Sequence, residues 1–102
     1  MPESPELSPT GDERWLIVNG RRWRRTDPEL DQNVVDELKS HLGAARNAVR
    51  TAKKSGSEGD LADARQRVNV AKHGLGERGD YWWQMSLADR RQRAEAALEE
   101  LR

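Results

Sequence analysis

The sequence contains no cysteine and no phenylalanine among its 102 residues. The lack of cysteine excludes disulfide bonds, thiolate metal ligands and thiol nucleophiles, and it fits a reducing compartment. The longest apolar runs are about four residues, whereas a membrane-spanning helix needs roughly 20. Residues 1–5 have neither the basic nor the apolar region of a signal peptide. We therefore expect a cytoplasmic protein with no membrane segment.

The chain also lacks an excess of charge of either sign. Its 18 basic residues equal its 18 acidic ones, so the formal net charge is zero although 35% of the residues are charged. Only 34% are hydrophobic. Disordered chains usually combine a high net charge with few aromatic residues, whereas this chain has four Trp. The composition predicts one small folded domain with a thin core.

Two segments differ sharply in composition. Residues 1–13 hold three of the four prolines and four acidic residues, with no basic residue. Such a composition at a terminus is typical of a disordered tail. The pattern changes at Arg14, and we predict a single domain over residues 14–102.

The first element of that domain is predicted to be a β-hairpin over residues 14–25. Asn19 and Gly20 separate two β-prone runs. The Asn-Gly pair favours a type I′ turn, in which both central residues have positive φ. Because such a loop has two residues, the register of the two strands is fixed.

This register gives the hairpin two different faces. On one face, Trp15 lies opposite Arg24. On the other face, Leu16 lies opposite Trp23, and Val18 lies on this face too. A lone two-stranded hairpin is marginal in water. We therefore expect the face with Leu16, Val18 and Trp23 to dock on helices.

Three helices follow in the prediction, over about 28–54, 61–75 and 87–101. Each has apolar residues at spacings of three or four. Residues 26–29, Thr-Asp-Pro-Glu, have the pattern of a helix start, and Gly76 suits the end of the second helix. The predicted fold is mostly α: an N-terminal two-stranded β-hairpin packed on an antiparallel helical hairpin, plus a third C-terminal helix.

Two stretches of this sequence carry a family resemblance. They are ERWLIVNGRRWR at 13–24 with TDP at 26–28, and AKHGLGERG at 71–79 with WW at 82–83. Over residues 13 to about 90, the chain resembles a family of short actinobacterial proteins of unknown function. Some members are labelled "biopolymer transporter Tol". No activity is carried over from that label, because this chain has no membrane segment or signal to accompany it.

The hairpin is rich in arginine and tryptophan. Between residues 14 and 25 there are five Arg, two Trp and no acidic residue. Arginine contacts phosphates, and an exposed Trp stacks on unpaired bases. The structural alternative places Trp23 in the core and pairs Trp15 with Arg24 as a cross-strand cation–π contact. A second basic stripe, Arg46, Arg50 and Lys53, is explained by its place near a helix C-terminus, and it would merge with the hairpin's arginines if the hairpin packed nearby.

An aromatic group precedes the third helix. Tyr81, Trp82 and Trp83 cannot all point inward from a short connection, so we expect one Trp to be buried and the other to be partly exposed. An exposed Trp can anchor a partner protein. Together with the hairpin, this defines a candidate binding surface of Trp15, Arg21, Arg22, Arg24, Arg25, Trp82 and Trp83.

No residue pattern indicates catalysis or metal binding. His41 and His73 are isolated, and Glu37 and His41 share a helix face without a further ligand. There is no nucleophile motif and no phosphate-cradling Gly pattern. We predict no catalytic residue, no metal and no cofactor.

The predicted function is a non-enzymatic protein-interaction module. Its partner is another protein or a second copy of the chain, since small domains with thin cores often gain stability by oligomerising. The alternative is a nucleic-acid-binding protein that uses Arg21, Arg22, Arg24 and Arg25 with Trp15.

Overall fold

Two short strands and three helices follow one another along the chain. The computed structural model describes residues 13–102, so the predicted disordered tail lies outside the described residues except for Glu13. The elements are β1 (Trp15–Val18), β2 (Arg21–Arg24), α1 (Gln32–Ser55), α2 (Glu58–Gly74), a short 3-10 helix (Trp82–Gln84) and α3 (Leu87–Leu101). The predicted fold class is confirmed: a two-stranded hairpin precedes three helices, of which the first two pack against each other.

The hairpin has the predicted register. Trp15 pairs with Arg24 and Leu16 pairs with Trp23 in antiparallel strands. Asn19 has φ 53° and Gly20 has φ 78°, which are the positive values that a type I′ turn needs. The local Asn-Gly signal therefore determines which side chains share a face.

Helix α1 begins four residues later than the sequence pattern predicts. Its cap is Asp31, whose side chain accepts a hydrogen bond from the backbone of Asn33 at 2.8 Å. Asp27, the acid in the expected start, instead accepts from the backbone of Glu29 at 2.9 Å in a local turn. Asp27 is also engaged by a distant arginine, described below, and it is therefore not a helix cap.

Helix α2 begins three residues earlier than predicted and ends one residue earlier, with Gly76 at the predicted position after its end. Ser57 caps it by accepting from the backbone of Asp60 at 3.2 Å. At its end, the backbone of Gly76 donates to His73 O at 3.0 Å, and that of Glu77 donates to Lys72 O at 2.9 Å. This pair of bonds is a Schellman motif, and it turns the chain toward the hairpin.

The hydrophobic core lies where the three helices meet. Leu38, Leu75 and Leu98, one from each helix or its end, are the largest fully buried side chains. Gly74 brings α2 so close to α3 that an added Cβ would lie 2.6 Å from Ala97 Cβ. The core cluster is Leu30, Val35, Leu38, Leu42, Val70, Ala71, Leu75, Ala94, Ala97, Leu98 and Leu101.

Gly76 is expected to be sensitive to substitution because of both its backbone conformation and its close neighbours. It has φ 83°, and an added Cβ would lie 3.0 Å from Asp27 Cβ and 3.1 Å from Trp82 Cδ1. We expect Gly76→Ala to lower the free energy of unfolding by about 2 kcal/mol. The matched control is Gly43→Ala, because Gly43 lies inside α1 with open space around it. This substitution should raise the free energy of unfolding by up to about 1 kcal/mol. Urea unfolding followed by circular dichroism measures both, and equal effects would contradict this expectation.

Candidate interaction site

The hairpin is held by the chain that connects α2 to α3. Trp82 Nε1 donates a hydrogen bond to Arg25 O at 3.1 Å. The backbone of Asp27 donates to Leu75 O at 2.9 Å. These two bonds fix the segment that leaves β2 against residues 75–82, so the strand pair cannot swing freely on its connection to α1.

A buried ion pair lies beside this junction. Asp27 is 2% exposed, and the Arg90 guanidinium donates to both of its carboxylate oxygens, with Nε 2.8 Å from Oδ2. The hydrogen bond to Asp27 raises the pKa of Arg90. The same guanidinium lies 5.3 Å from the ring centre of Trp82. The Asp27–Arg90 pair therefore joins the lead-in to α1 with the start of α3.

The aromatic residues form one cluster. The Trp15 ring meets Tyr81 and Trp83 edge to face, at 5.9 and 5.6 Å between centroids. Tyr81 and Trp83 stack at 4.5 Å. Trp82 is buried and Trp83 is half-buried, which confirms the expectation that only one of them is enclosed. This cluster fastens the Trp15 face of the hairpin to the connection before α3.

Two of the predicted binding arginines are engaged in holding the hairpin. Arg24 Nη1 donates to Gly79 O at 2.8 Å, and its guanidinium lies 4.5 Å from the centre of the Tyr81 ring. Arg25 Nε donates to Trp15 O at 3.0 Å. Because both side chains are only partly exposed, their main contacts are internal to the protein.

The expected cation–π contact of Trp15 forms with a different arginine. Trp15 is opposite Arg24 in the register, yet the guanidinium over its ring is that of Arg22, at 4.0 Å. Arg24 reaches instead toward Gly79 and Tyr81 on the connection. Arg21, on the opposite face, lies 4.7 Å from the ring centre of Trp23. Arg21 and Arg22 are both exposed, and they remain the accessible arginines of the predicted surface.

The hairpin face that was expected to dock on the helices stays largely open. Trp23 is 39% exposed and Val18 is 44% exposed, so Trp23 is not a core residue. The physical reason is that the opposite face carries the contacts of Trp15 and Arg24 with the connection. The hairpin therefore stands beside the helices and leaves a cleft between them.

This cleft has a volume of about 650 Å³. One wall is apolar and comes from the hairpin residues Leu16, Val18 and Trp23, and the helices contribute Arg46 of α1 and Lys72 of α2 to the lining. The basic stripe of α1 and the arginines of the hairpin thus meet here through Arg46. The lining residues are Glu13, Leu16, Val18, Trp23, Arg24, Arg25, Thr26, Pro28, Arg46, Lys72 and Glu77.

Lys72 is a lining residue that sequence reasoning missed. It is 9% exposed, with Nζ 3.8 Å from Glu77 Oε1 and 5.2 Å from the Trp23 ring centre. Burial lowers the pKa of Lys72, the neighbouring Arg46 lowers it further, and Glu77 opposes both. Its signal in the sequence is its position between Val68 and Leu75 on the apolar stripe of α2.

Within residues 13–102, no group of side chains forms a metal site. Three potential ligands do not come together anywhere in that range. His41 lies 3.8 Å from Glu37, but Glu37 accepts two hydrogen bonds from Arg102, at 2.9 and 3.0 Å. The bond to Arg102 is the main cause that lowers the pKa of Glu37. In the same part of the chain, no helix combines the length and the apolarity that crossing a bilayer requires.

Comparisons with known proteins identified no relative of the chain. No family model, no curated protein and no solved structure matches the chain. What the cleft and the hairpin do must therefore be inferred from their own chemistry.

Arg24 and Arg21 should differ in their effect on stability although both are hairpin arginines. We expect Arg24→Gln to lower the free energy of unfolding by about 1.5 kcal/mol, because its charged hydrogen bond to Gly79 O is lost. Arg21→Gln, at an exposed position, should change it by less than about 0.5 kcal/mol. Urea unfolding of the two variants tests this difference, and an equal loss would refute the structural role assigned to Arg24.

Proposed function

We propose that this protein is a non-enzymatic interaction module of the cytoplasm, which binds a partner protein in the cleft between its hairpin and its helices. The observation that carries this proposal is the exposed apolar wall, in which Trp23 and Val18 face the cleft instead of the core. Large apolar side chains left in a concave site are typical of binding surfaces.

The way in which the hairpin is anchored supports the same proposal. Its Trp15 side and the backbone of Arg25 are fastened to residues 79–83, so the Trp23 wall is held in place before a partner arrives. Pre-organisation lowers the entropy lost on binding. Trp and Arg are also the residue types that contribute most to binding energy at protein interfaces, and here Arg21 stacks on Trp23.

The non-enzymatic part of the proposal rests on the residue inventory. The chain has no cysteine, and its histidines are separate from any nucleophile motif. The resemblance to short actinobacterial proteins stays a prediction, and it supplies no activity.

Site-specific photocrosslinking tests where the partner binds. A photoreactive benzophenone amino acid in place of Trp23 should form a covalent adduct in cells with a defined protein. The same amino acid in place of Lys54, an exposed residue at the far end of α1, should form no such adduct. An adduct of twice the chain's mass would identify the partner as a second copy. Equal adducts at both positions, or none at Trp23, would refute the proposal.

Nucleic acid is the second candidate partner. It is favoured by the exposed Arg21 and Arg22, each of which lies over a Trp ring of the hairpin. Arg–aromatic pairs on a strand surface suit the backbone and bases of a single strand. The engagement of Arg24 and Arg25 with carbonyl oxygens halves the number of accessible cations that the sequence predicted for this role.

A titration separates the two candidates. Trp fluorescence is followed while single- and double-stranded DNA and RNA are added at two salt concentrations. Nucleic-acid binding predicts tight association that weakens steeply with salt and that the double change Arg21→Glu and Arg22→Glu abolishes. The control Arg50→Glu with Lys53→Glu makes the same change of charge on α1. No response of the unaltered protein at low salt would eliminate this candidate.

A further inference from the structure

The cleft combines an apolar wall from the hairpin with basic residues from the helices, and this combination selects a kind of partner. We propose that the cleft binds an extended acidic segment of a partner protein, with one apolar side chain against Trp23 and a neighbouring carboxylate on Lys72 and Arg46. This inference rests on the proposed function and adds the chemical class of the partner.

The apolar wall defines the place of the partner's apolar side chain. Leu16 is half-buried, whereas Val18 and Trp23 are exposed. A side chain that covers them removes this apolar surface from water, which favours association in proportion to the area covered. The wall is formed by one face of a short strand pair, so it offers room for one apolar group and no extended apolar stripe.

The Lys72 ammonium defines the place of a carboxylate. It is already largely withdrawn from water, and the oxygen of Glu77 nearest to it is 3.8 Å away, beyond hydrogen-bond distance. The other carboxylate oxygen of Glu77 accepts from Thr26 Oγ1 at 2.6 Å, which holds Glu77 away from a closer contact. An incoming carboxylate would give the ammonium the short charged hydrogen bond that its own neighbour does not make.

The remaining charges around the cleft also favour an anion. Arg46 lies at its rim on α1 and is exposed. Arg24 donates to the neutral carbonyl oxygen of Gly79, and this bond does not cancel its charge. Against four basic lining residues there are two acidic ones, Glu13 and Glu77. A basic segment would meet repulsion here, whereas an acidic segment would meet attraction that salt weakens.

The spacing of the two subsites favours an extended segment. The Lys72 Nζ lies 5.2 Å from the centre of the Trp23 ring. In an extended chain, side chains two residues apart point the same way and are separated by roughly 6.6 Å. An acidic residue two positions from an apolar one therefore reaches both subsites from the same side. The expected motif is acidic, any residue, apolar.

Calorimetric titration of the full chain with two capped peptides tests the inference. The acidic probe is Glu-Thr-Leu-Thr-Glu, and the neutral probe is Gln-Thr-Leu-Thr-Gln. We expect the acidic probe to bind at least tenfold more tightly. Lys72→Met and Arg46→Gln should each weaken its binding by about tenfold. Arg50→Gln, which removes the same charge one turn further along α1 and outside the cleft, should leave it unchanged.

The outcomes separate this inference from the proposed function. Equal affinities for the two probes would overturn the acidic segment but leave a cleft that binds peptides. If neither probe binds, the inference fails, while crosslinking at Trp23 judges the proposed function independently. The chain's own residues 1–12 carry Glu3, Glu6 and Asp12. The titration is therefore repeated on a variant without residues 2–12. An affinity more than tenfold higher in that variant would overturn the partner protein in favour of the chain's own segment as the occupant.

Discussion

The position of the hairpin depends on the buried ion pair between Asp27 and Arg90. A carboxylate that is 2% exposed is tolerated only when its charge is paired and its oxygens accept hydrogen bonds. Here the Arg90 guanidinium donates to both oxygens of Asp27, and the backbone of Glu29 donates to one of them as well. The pair fixes the chain between β2 and α1 against α3. Gly76 and Trp82 pack around it at close distance, so the turn after α2, the aromatic cluster and the hairpin all take their places from this one contact.

The cleft is a consequence of this one-sided attachment. The hairpin is fastened through Trp15, Arg24 and Arg25 to the connection between α2 and α3, which satisfies one of its faces. A two-stranded sheet cannot also cover its other face without a further element. The three-helix core is already complete among its own leucines, valines and alanines. Leu16, Val18 and Trp23 are therefore left as the apolar wall of a cleft to which the helices contribute Arg46 and Lys72.

The sequence predicts the local features of this fold well and the long-range ones poorly. The hairpin register and the bounds of α3 follow from Asn19-Gly20 and from the 87–101 pattern, which are short-range signals. The start of α1 was wrong by four residues because Asp27 bonds to Arg90, 63 positions away. Arg21 and Arg24 are the same residue type in the same strand, and the sequence does not distinguish them. Only the tertiary structure shows that Arg21 is exposed to solvent whereas Arg24 donates a hydrogen bond to Gly79 O. The docking face was wrong for the same reason, since it depends on where residues 79–83 lie.

Two charged residues are buried in this domain, and the difference in how they are satisfied indicates their roles. The charge and the hydrogen-bonding oxygens of Asp27 are satisfied by Arg90 and Glu29 within the chain, so its burial stabilises the fold. Lys72 interrupts the apolar stripe between Val68 and Leu75, burial lowers its pKa, and its acidic neighbour stops short of a hydrogen bond. Sequences that fold reliably keep local pattern and tertiary structure consistent, and departures from this consistency concentrate at functional sites. Lys72 faces the open cleft beside Trp23. We therefore interpret its incomplete pairing as a ligand-binding feature, because a carboxylate bound in the cleft would supply the charged hydrogen bond that the ammonium lacks within the fold.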